Sequence, residues 1–334
     1  ALREQRRAPR AIGRAVARRE TQRREDRERE NRASEEEESE QTRHREDAPD
    51  ARHARNVVPR SRSSSGFARR SSPASAAELR RCGETGETGD TGGECATWCP
   101  APGTSWQWQL SGSIDASLDV AMYDIDLFDA PSETITALHE AGRVVICYFS
   151  AGSHEDWRPD AGAFPAAAIG DPLDEWPGER WLDVRDAEVR ALMQARLDLA
   201  VERGCDGVEP DNVDGYANTT GFALTAADQL DYNRFLASEA HARGLSVGLK
   251  NDLDQIGELV DEFDWALDEE CVAYDECALL LPFVTAGKAV FHVEYVDDAA
   301  QGEALAEQVC PSVPEGFSTL IKTWDLDAWR IACP

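Results

Sequence analysis

Pairs of acidic side chains stand at the ends of two short apolar segments. The segment GVEPDNVD carries Glu209 and Asp211, and the segment WALDEEC carries Asp268, Glu269 and Glu270. If both segments are strands, Glu209 and Asp211 share one face, and Glu270 points away from the face that carries Glu269. Two carboxylates that face each other across a cleft, one ionised and one protonated, are able to cleave a glycosidic bond. The spacing therefore predicts acid–base chemistry at the ends of these segments.

Polar residues also end most of the other apolar segments of the chain. One acidic strand end is often only a helix N-cap, but charges gathered in a closed mouth cost desolvation free energy unless they pair or do chemistry. The alternative role of each such polar residue is to belong to a structural network that orients the catalytic pair. We interpret His154 and His292 as structural or rim residues. The candidate substrate-binding residues are Asp124, Asp126, Tyr148, Glu209, Lys250, Asn251 and Glu294.

An acid-rich mouth can also hold Mg²⁺, so metal-dependent hydrolysis is the rival chemistry. Lys250 in the mouth argues against a bare metal cage. The sequence has no CxxC motif and only six His, which disfavours a zinc site. We therefore predict neither a metal nor a cofactor. Aromatic residues beside the mouth, such as Trp324, suit stacking on sugar rings, although core packing explains aromatic residues equally well.

Eight strands are needed to bring these ends together. The apolar segments predict strands at 106–110, 120–128, 144–149, 207–211, 246–250, 265–269, 289–296 and 318–322. Helices are predicted at 133–141, 186–203, 226–243, 252–262, 275–281 and 299–309, with Thr225 as an N-cap and Gly204 and Gly244 at two helix ends. This alternation predicts a (β/α)8 TIM barrel, whose chemistry lies at the carboxyl ends of its strands. A doubly wound sheet is the alternative, but it requires a glycine-rich phosphate loop after the first strand.

Charge divides the chain into two parts. Residues 1–81 contain 22 Arg, no Lys and 15 acids, a net charge of +7, whereas residues 82–334 contain 13 Lys and Arg against 49 acids, a net charge of −36. We predict a disordered Arg/Glu-rich segment at 1–81, a Gly/Thr/Glu-rich linker at 82–104 and the barrel domain at 105–334. A strongly acidic domain is a poor partner for nucleic acid, and no apolar run is long enough to span a membrane.

Nine Cys residues in an acidic domain indicate disulfides, and disulfides indicate export. Cys271 and Cys277 are spaced to close a small loop, and Cys310 and Cys333 bracket the last strand. We therefore expect a secreted or cell-surface protein, although no signal peptide is visible. A lipid anchor at Cys82 is an alternative that the two arginines before it disfavour.

Four segments together resemble glycoside hydrolase family 114, the endo-α-1,4-polygalactosaminidase family. They are CYFSAGSHEDWRPD, GCDGVEPDNVDGY, GLKND and DEECVAYDEC, in that order and at predicted strand ends. The resemblance covers roughly residues 106–324. It implies a (β/α)8 barrel that hydrolyses an α-1,4-linked, galactosamine-containing exopolysaccharide, a cationic polymer that an acidic domain attracts. We expect the protein to act as a monomer.

The resemblance also assigns the catalytic pair. The family's Asp in the PDN motif falls on Asp211, and its strand-six Glu, first of the pair before Cys, falls on Glu269. We expect Asp211 to be the nucleophile and Glu269 the acid/base of a retaining enzyme, with Glu209 as the rival to Asp211. The alternatives to an endo-glycosidase are a non-catalytic carbohydrate-binding barrel and a metal-dependent hydrolase of another substrate.

Overall fold

Eight parallel strands follow one another around a curled sheet. The structure, a computed structural model, describes residues 97–174 and 176–334. Consecutive neighbours in the parallel array are β1 Trp106–Gln109, β2 Met122–Asp126, β3 Val144–Ser150, β7 Gly207–Asp211, β8 Ser246–Lys250, β9 Trp265–Glu269, β10 Val290–Val296 and β11 Phe317–Thr323. The prediction of a (β/α)8 barrel is confirmed. The segment predicted to be disordered, 1–81, and most of the predicted linker lie outside the described residues.

Strands β1 and β11 are joined through the segment that follows β11. Its strand β12, Ile331–Ala332, pairs antiparallel with β11. The same segment reaches β1, where the Leu326 carbonyl accepts hydrogen bonds from the backbone amides of Leu110 and Ser111, at 2.9 and 3.2 Å. The Trp106 indole also donates to the carbonyl of Ser318 in β11, at 2.8 Å. These contacts connect the two ends of the curled sheet.

Helices separate most of the parallel strands, and local sequence sets their limits. The longer ones are α1 Ser132–Glu140, α2 Ala187–Arg203, α3 Ala226–Ala242 and α6 Gly302–Val309; α4 Ile256–Leu259 and α5 Leu281–Thr285 are single turns. Thr225 and Asp228 form a capping box at the start of α3, as the sequence predicts. Helix α2 ends at Gly204, which adopts φ +85°. The helices predicted at 252–262 and 275–281 are instead 3-10 turns that continue into α4 and α5.

Large side chains fill the barrel interior, and one of them packs directly against a glycine. Trp106, Trp108, Trp265 and Phe291 belong to this interior cluster and are almost fully buried. Trp265 lies opposite Gly248 in the register of β8 and β9. A Cβ atom on Gly248 would lie 2.1 Å from the Trp265 ring, so only glycine leaves room for this indole. Tight filling here fixes the spacing of strands β8 and β9.

A small antiparallel sheet, absent from the prediction, is inserted between β3 and α2. Its strands are β4 Ser153–Glu155, β5 Ile169–Pro172 and β6 Glu179–Leu182, in the order β4-β6-β5. Two buried arginines attach it to the barrel. Arg158 contacts Glu155 at 2.8 Å and Asp126 of β2 at 2.7 Å. Arg196 of α2 lies 3.9 Å from Glu155 of β4 and donates to the Ser150 carbonyl of β3 at 2.6 Å.

The described part of the chain begins against the barrel rather than in a free linker. The Pro100 carbonyl accepts a hydrogen bond from Ala289, and Gly103 donates to Gly316, both at 2.9 Å. Residues 97–104, assigned to the linker from the sequence, therefore contact the barrel. Within the described residues, no helix combines the length and apolarity that a membrane span requires.

Disulfides join three pairs of cysteines in the described residues. The two predicted pairs, Cys271–Cys277 and Cys310–Cys333, are confirmed. The third, Cys147–Cys205, links β3 to the second residue before β7 and was not predicted. Its partners lie 58 residues apart, so spacing alone gives no sign of the pairing.

Candidate active site

Lys250 lies at the centre of the carboxylates that end the middle strands. Its ammonium nitrogen is 3.0 Å from Asp211 Oδ1, 3.1 Å from Glu269 Oε2 and 3.2 Å from Glu209 Oε1. Burial alone would lower the pKa of Lys250, but Asp211, Glu269 and Glu209 outweigh it and raise that pKa well above its ordinary value. The lysine on β8 is therefore a cation shared by three acids from the two flanking strands, β7 and β9.

Asp211 is oriented by donors on all sides of its carboxylate. Besides Lys250, the Asn212 backbone amide donates to Oδ1 at 2.8 Å, and the Tyr148 hydroxyl donates to Oδ2 at 2.9 Å. Tyr148 reaches Asp211 because β3 and β7 are paired with Ser150 opposite Asp211. Burial and the Asp211 charge raise the pKa of Tyr148 well above its ordinary value, so the phenol stays a donor.

Glu269, which also contacts Lys250, has partners from β10 and from the residue that follows β8. The Tyr295 hydroxyl donates to its Oε1 at 2.5 Å, and the Asn251 amide donates to its Oε2 at 3.2 Å. Tyr295 stacks on Trp324, with ring centroids 3.9 Å apart. The Glu269 side chain is 27% exposed and that of Asp211 is 16% exposed. Both carboxylates are therefore open to a ligand.

Glu209 and Asp124 form the floor beneath this pair. Both are 0% exposed. The Trp108 indole donates to Glu209 Oε2 at 3.0 Å, and its ring faces the Lys250 ammonium at 4.9 Å. Burial raises the pKa of Glu209 to about 7, although Lys250 opposes the shift. Burial and the adjacent Glu209 raise the pKa of Asp124 well above its ordinary value.

Two other predicted substrate-binding acids are enclosed and already paired. Asp126 forms a bidentate ion pair with Arg158, at 2.9 and 2.7 Å. Glu294 Oε1 accepts hydrogen bonds from the backbone amides of Val272 and Ala273, at 2.8 and 3.2 Å, and lies 3.0 Å from His292. Glu294 therefore holds the loop that follows Glu269 from the outer side of the barrel. Glu294 and Asp126 are both buried, so neither offers an open surface to a sugar.

The structure gathers seven of the nine predicted site residues and adds two aromatic residues to them. The gathered group is Tyr148, Asp124, Glu209, Asp211, Lys250, Asn251 and Glu269. The added residues are Trp108 and Tyr295, which contact Glu209 and Glu269. Alternation signals Tyr295, since it shares a strand face with Phe291 and Val293 of the interior cluster. Trp108 carries no comparable signal, because an indole at an inward position equally well indicates core.

A parallel eight-stranded barrel with two accessible carboxylates at its mouth defines a class of hydrolases that act through paired acids. The family can be stated as well. The sequence profile of glycoside-hydrolase family GH114 matches residues 88–334, and the chain belongs to that family. A search of the curated proteins finds no match.

Solved structures resemble the same part of the chain. The crystal structure of Aspergillus fumigatus Ega3 in complex with galactosamine is 46% identical, with a TM-score of 0.66, and covers 71% of this chain and 97% of that chain. The glycoside hydrolase domain of PelA from Pseudomonas aeruginosa is 15% identical, with a TM-score of 0.54, and covers 69% and 98% respectively. At that identity the second likeness concerns the fold alone.

Proposed function

We propose that this protein is an endo-acting glycoside hydrolase that cleaves α-1,4-linked, galactosamine-containing polysaccharide. The observation that carries the proposal is the pair Asp211 and Glu269, held at the barrel mouth by one shared ammonium and both partly exposed. The likeness to Ega3, solved with galactosamine, supports an aminosugar substrate. A net charge of −36 over residues 82–334 also favours a cationic polymer.

Exposure and hydrogen bonding support the division of roles between the two carboxylates. Asp211, fixed by three donors, is suited to attack the anomeric carbon. Glu269, the more exposed acid, is suited to exchange protons with the leaving group and water. In the first step Asp211 forms an ester with the sugar while Glu269 protonates the departing glycosidic oxygen. In the second step Glu269 takes a proton from water, which attacks the ester and releases the sugar.

The distance between the two acids favours retention of the anomeric configuration. Oxygens of both carboxylates lie within 3.1 Å of the same nitrogen. They are therefore at most roughly 6 Å apart, nearer to the separation of about 5 to 5.5 Å in retaining enzymes than to the wider gap of inverting ones. An inverting enzyme needs the extra room for a water molecule between the general base and the sugar.

Glu209 is less suited than Asp211 to be the nucleophile. It is fully buried, and Trp108 and Lys250 engage its two oxygens. We propose that Glu209 and Asp124 support Lys250 from below. Tyr148 and Asn251 are left as sugar contacts, since both are partly exposed beside the catalytic pair. The stacked rings of Tyr295 and Trp324 offer an apolar wall for a sugar face next to Glu269.

Three further sequence-based expectations concern the location, the oligomeric state and the metal requirement of the enzyme. Three disulfides within the described residues support activity outside the cell, as expected of a protein in an oxidising compartment. The catalytic side chains all belong to one chain, so the proposed chemistry requires no residue from a second copy. The Lys250 ammonium contacts all three carboxylates and balances part of their charge, which supports hydrolysis without a metal.

Incubation of the full chain with partially deacetylated polygalactosamine tests the proposal. We expect new reducing ends, oligomeric products from the start of the reaction, and no loss of rate with EDTA. NMR of the first-formed anomer is expected to show the α configuration. A neutral α-1,4-glucan of similar length is the matched control substrate. Binding without any new reducing ends would instead support a carbohydrate-binding barrel, and a rate abolished by EDTA and restored by a divalent ion would support a metal-dependent hydrolase.

A further inference from the structure

The small antiparallel sheet reaches the catalytic centre through a chain of buried hydrogen bonds. The Asn212 side-chain amide donates to Ser150 Oγ at 2.9 Å, Ser150 Oγ lies 2.7 Å from Ser153 Oγ, and Ser153 Oγ donates to Glu179 Oε2 at 2.7 Å. Ser150 and Ser153 are 0% exposed and Glu179 is 7% exposed. Glu179 belongs to β6, and the catalytic scheme above gives it no role.

The donors in this chain run in one direction. Ser150 Oγ accepts from the Asn212 amide and also from the Ser153 backbone amide, at 3.1 Å. Its own proton is therefore left for Ser153 Oγ, whose proton is left for Glu179. The carboxylate is the terminal acceptor that every donor upstream depends on. An amide stands at the other end, so the chain orients groups and does not carry protons to Asp211.

Asn212 is the point at which this chain meets the nucleophile. Its backbone amide donates to Asp211 Oδ1, and its φ of +60° is a left-handed conformation that asparagine adopts more readily than most residues. Its carbonyl lies so close to Gly152 that a Cβ there would be 1.7 Å away. The bond from the Asn212 side chain to Ser150, together with this close backbone contact, keeps the Asn212 backbone amide directed at Asp211.

We propose that Glu179 is a positioning residue for catalysis, the terminal acceptor that holds Asn212 and thereby fixes the carboxylate of Asp211. This inference rests on the proposed function for the role of Asp211. Other charged and titratable groups that face Glu179 are Glu155, Arg158 and Asp211. Burial, with Glu155 and Asp211 nearby, raises the pKa of Glu179 to about 8. The carboxyl group keeps an acceptor oxygen in either protonation state, so the chain persists across neutral pH.

Three variants of the full chain separate an acceptor from a space-filling residue. Glu179→Met keeps the size but offers no acceptor, and Ser153→Ala breaks the chain one step earlier. Each is expected to lower kcat on polygalactosamine about tenfold, with KM changed less than threefold. Glu179→Gln retains an acceptor oxygen and is expected to restore most of the rate. Arg180→Met is the matched control, because Arg180 donates to Gly170 within the same small sheet and lies outside the chain.

A measurement without substrate keeps this proposal separate from the proposed function. The chain has only six asparagines, so hydrogen exchange of the Asn212 backbone amide can be followed in ¹⁵N-asparagine protein, assigned with Asn212→Ala. We expect faster exchange in Glu179→Met and near-normal exchange in Glu179→Gln. If the wild type releases no reducing ends, the proposed function fails while exchange still tests the chain. Unchanged kcat and exchange in Glu179→Met, equal losses in Glu179→Gln, or an equal loss in Arg180→Met would each overturn the positioning role.

Discussion

Two groups of acidic side chains lie at the carboxyl end of the barrel, and they differ in how their charge is balanced. At the mouth, three carboxylates share the single ammonium of Lys250, and two of them are open to solvent. Beneath the small sheet, Arg158 holds Asp126 in a bidentate pair and contacts Glu155 at 2.8 Å, all of them buried. The mouth group and the group beneath the small sheet therefore use burial differently. Surplus negative charge remains where a cationic sugar would bind, and matched charge holds two layers together.

The largest effect is expected from removing either exposed acid of the first group. Asp211→Asn and Glu269→Gln each eliminate one chemical role and are expected to lower kcat by about 10³-fold or more. Reducing-end assays give the rate, and circular dichroism confirms the fold. Glu270→Gln, the same change one residue further on, is the control and is expected to stay within a few-fold of wild type. Near-normal rates in both Asp211→Asn and Glu269→Gln would remove the catalytic assignment.

The second group is expected to affect stability instead. Arg158→Met leaves Asp126 and Glu155 buried without their cation and is expected to lower the free energy of unfolding by about 3 to 5 kcal/mol. Arg143→Met is the control, since Arg143 pairs with Asp119, whose side chain is 95% exposed, and such surface pairs contribute at most about 1 kcal/mol. Urea unfolding measures both variants. If Arg158→Met mainly changed kcat at full stability, the two groups would not differ as described.

Removal of the shared ammonium tests the balance at the mouth directly. Lys250→Met is expected to lower kcat by about 10²-fold, because the carboxylates lose the charge that orients them. The acidic limb of the pH–rate profile is expected to move to higher pH, since a carboxylate that loses its neighbouring cation holds its proton more tightly. A rate loss without any change in the profile would indicate that Lys250 acts by packing alone.

Asp252, a buried acid beside the mouth, makes the stability of the folded protein depend on pH. Burial, followed by Asp214, raises the pKa of Asp252 to about 8, and Asn233 donates to its Oδ2. The folded protein thus binds this proton more tightly than the unfolded chain does. Its stabilising contribution is complete below the unfolded pKa, near 4, and is lost as the pH rises through 8.

Asp252→Asn is expected to flatten that loss by roughly 1 kcal/mol per pH unit between about pH 5 and 7. The amide keeps an acceptor oxygen for Asn233. Unfolding by urea at several pH values measures the slope. Asp261→Asn, the same change at an exposed position nine residues on, is the control and is expected to leave the slope unchanged. A parallel slope in Asp252→Asn would show that another group dominates.

The smallest effect expected is the dependence of binding on salt. If surplus negative charge at the mouth attracts the polymer, KM for deacetylated substrate is expected to rise roughly two- to tenfold between about 0.02 and 0.3 M NaCl. A fully N-acetylated polymer lacks the positive charges and is the control. Equal salt dependence for both polymers would indicate that the acidity of the domain serves solubility.

Alternation along strands explains which site residues could be predicted. It places Trp265, Leu267 and Glu269 on one face, and the structure has the first two in the interior cluster and Glu269 at the mouth. The same rule applied to β10 selects Tyr295 and turns Glu294 outward. The prediction of Glu294 as a substrate-binding residue used its charge and not its position, although adjacent residues of a strand point to opposite faces of the sheet.

The small sheet and its contacts were beyond prediction for a different reason. Strand β4 has only three residues, and β5 contains both Gly170 and Pro172, so neither shows the alternation of a longer strand. Glu179 matters only through its approach to Ser153, 26 residues away. The eight barrel strands, by contrast, are rich in apolar residues, and their order in sequence is also their order in the sheet.

The contact between Trp265 and Gly248 has a consequence for how related sequences can vary. These register partners lie in the two strands that end in Lys250 and Glu269. Because the indole covers the glycine, a larger residue at 248 is tolerated only if 265 becomes smaller. The residues at the two positions are therefore expected to change together in evolution. A related barrel with alanine at 248 is expected to have a residue smaller than tryptophan at 265.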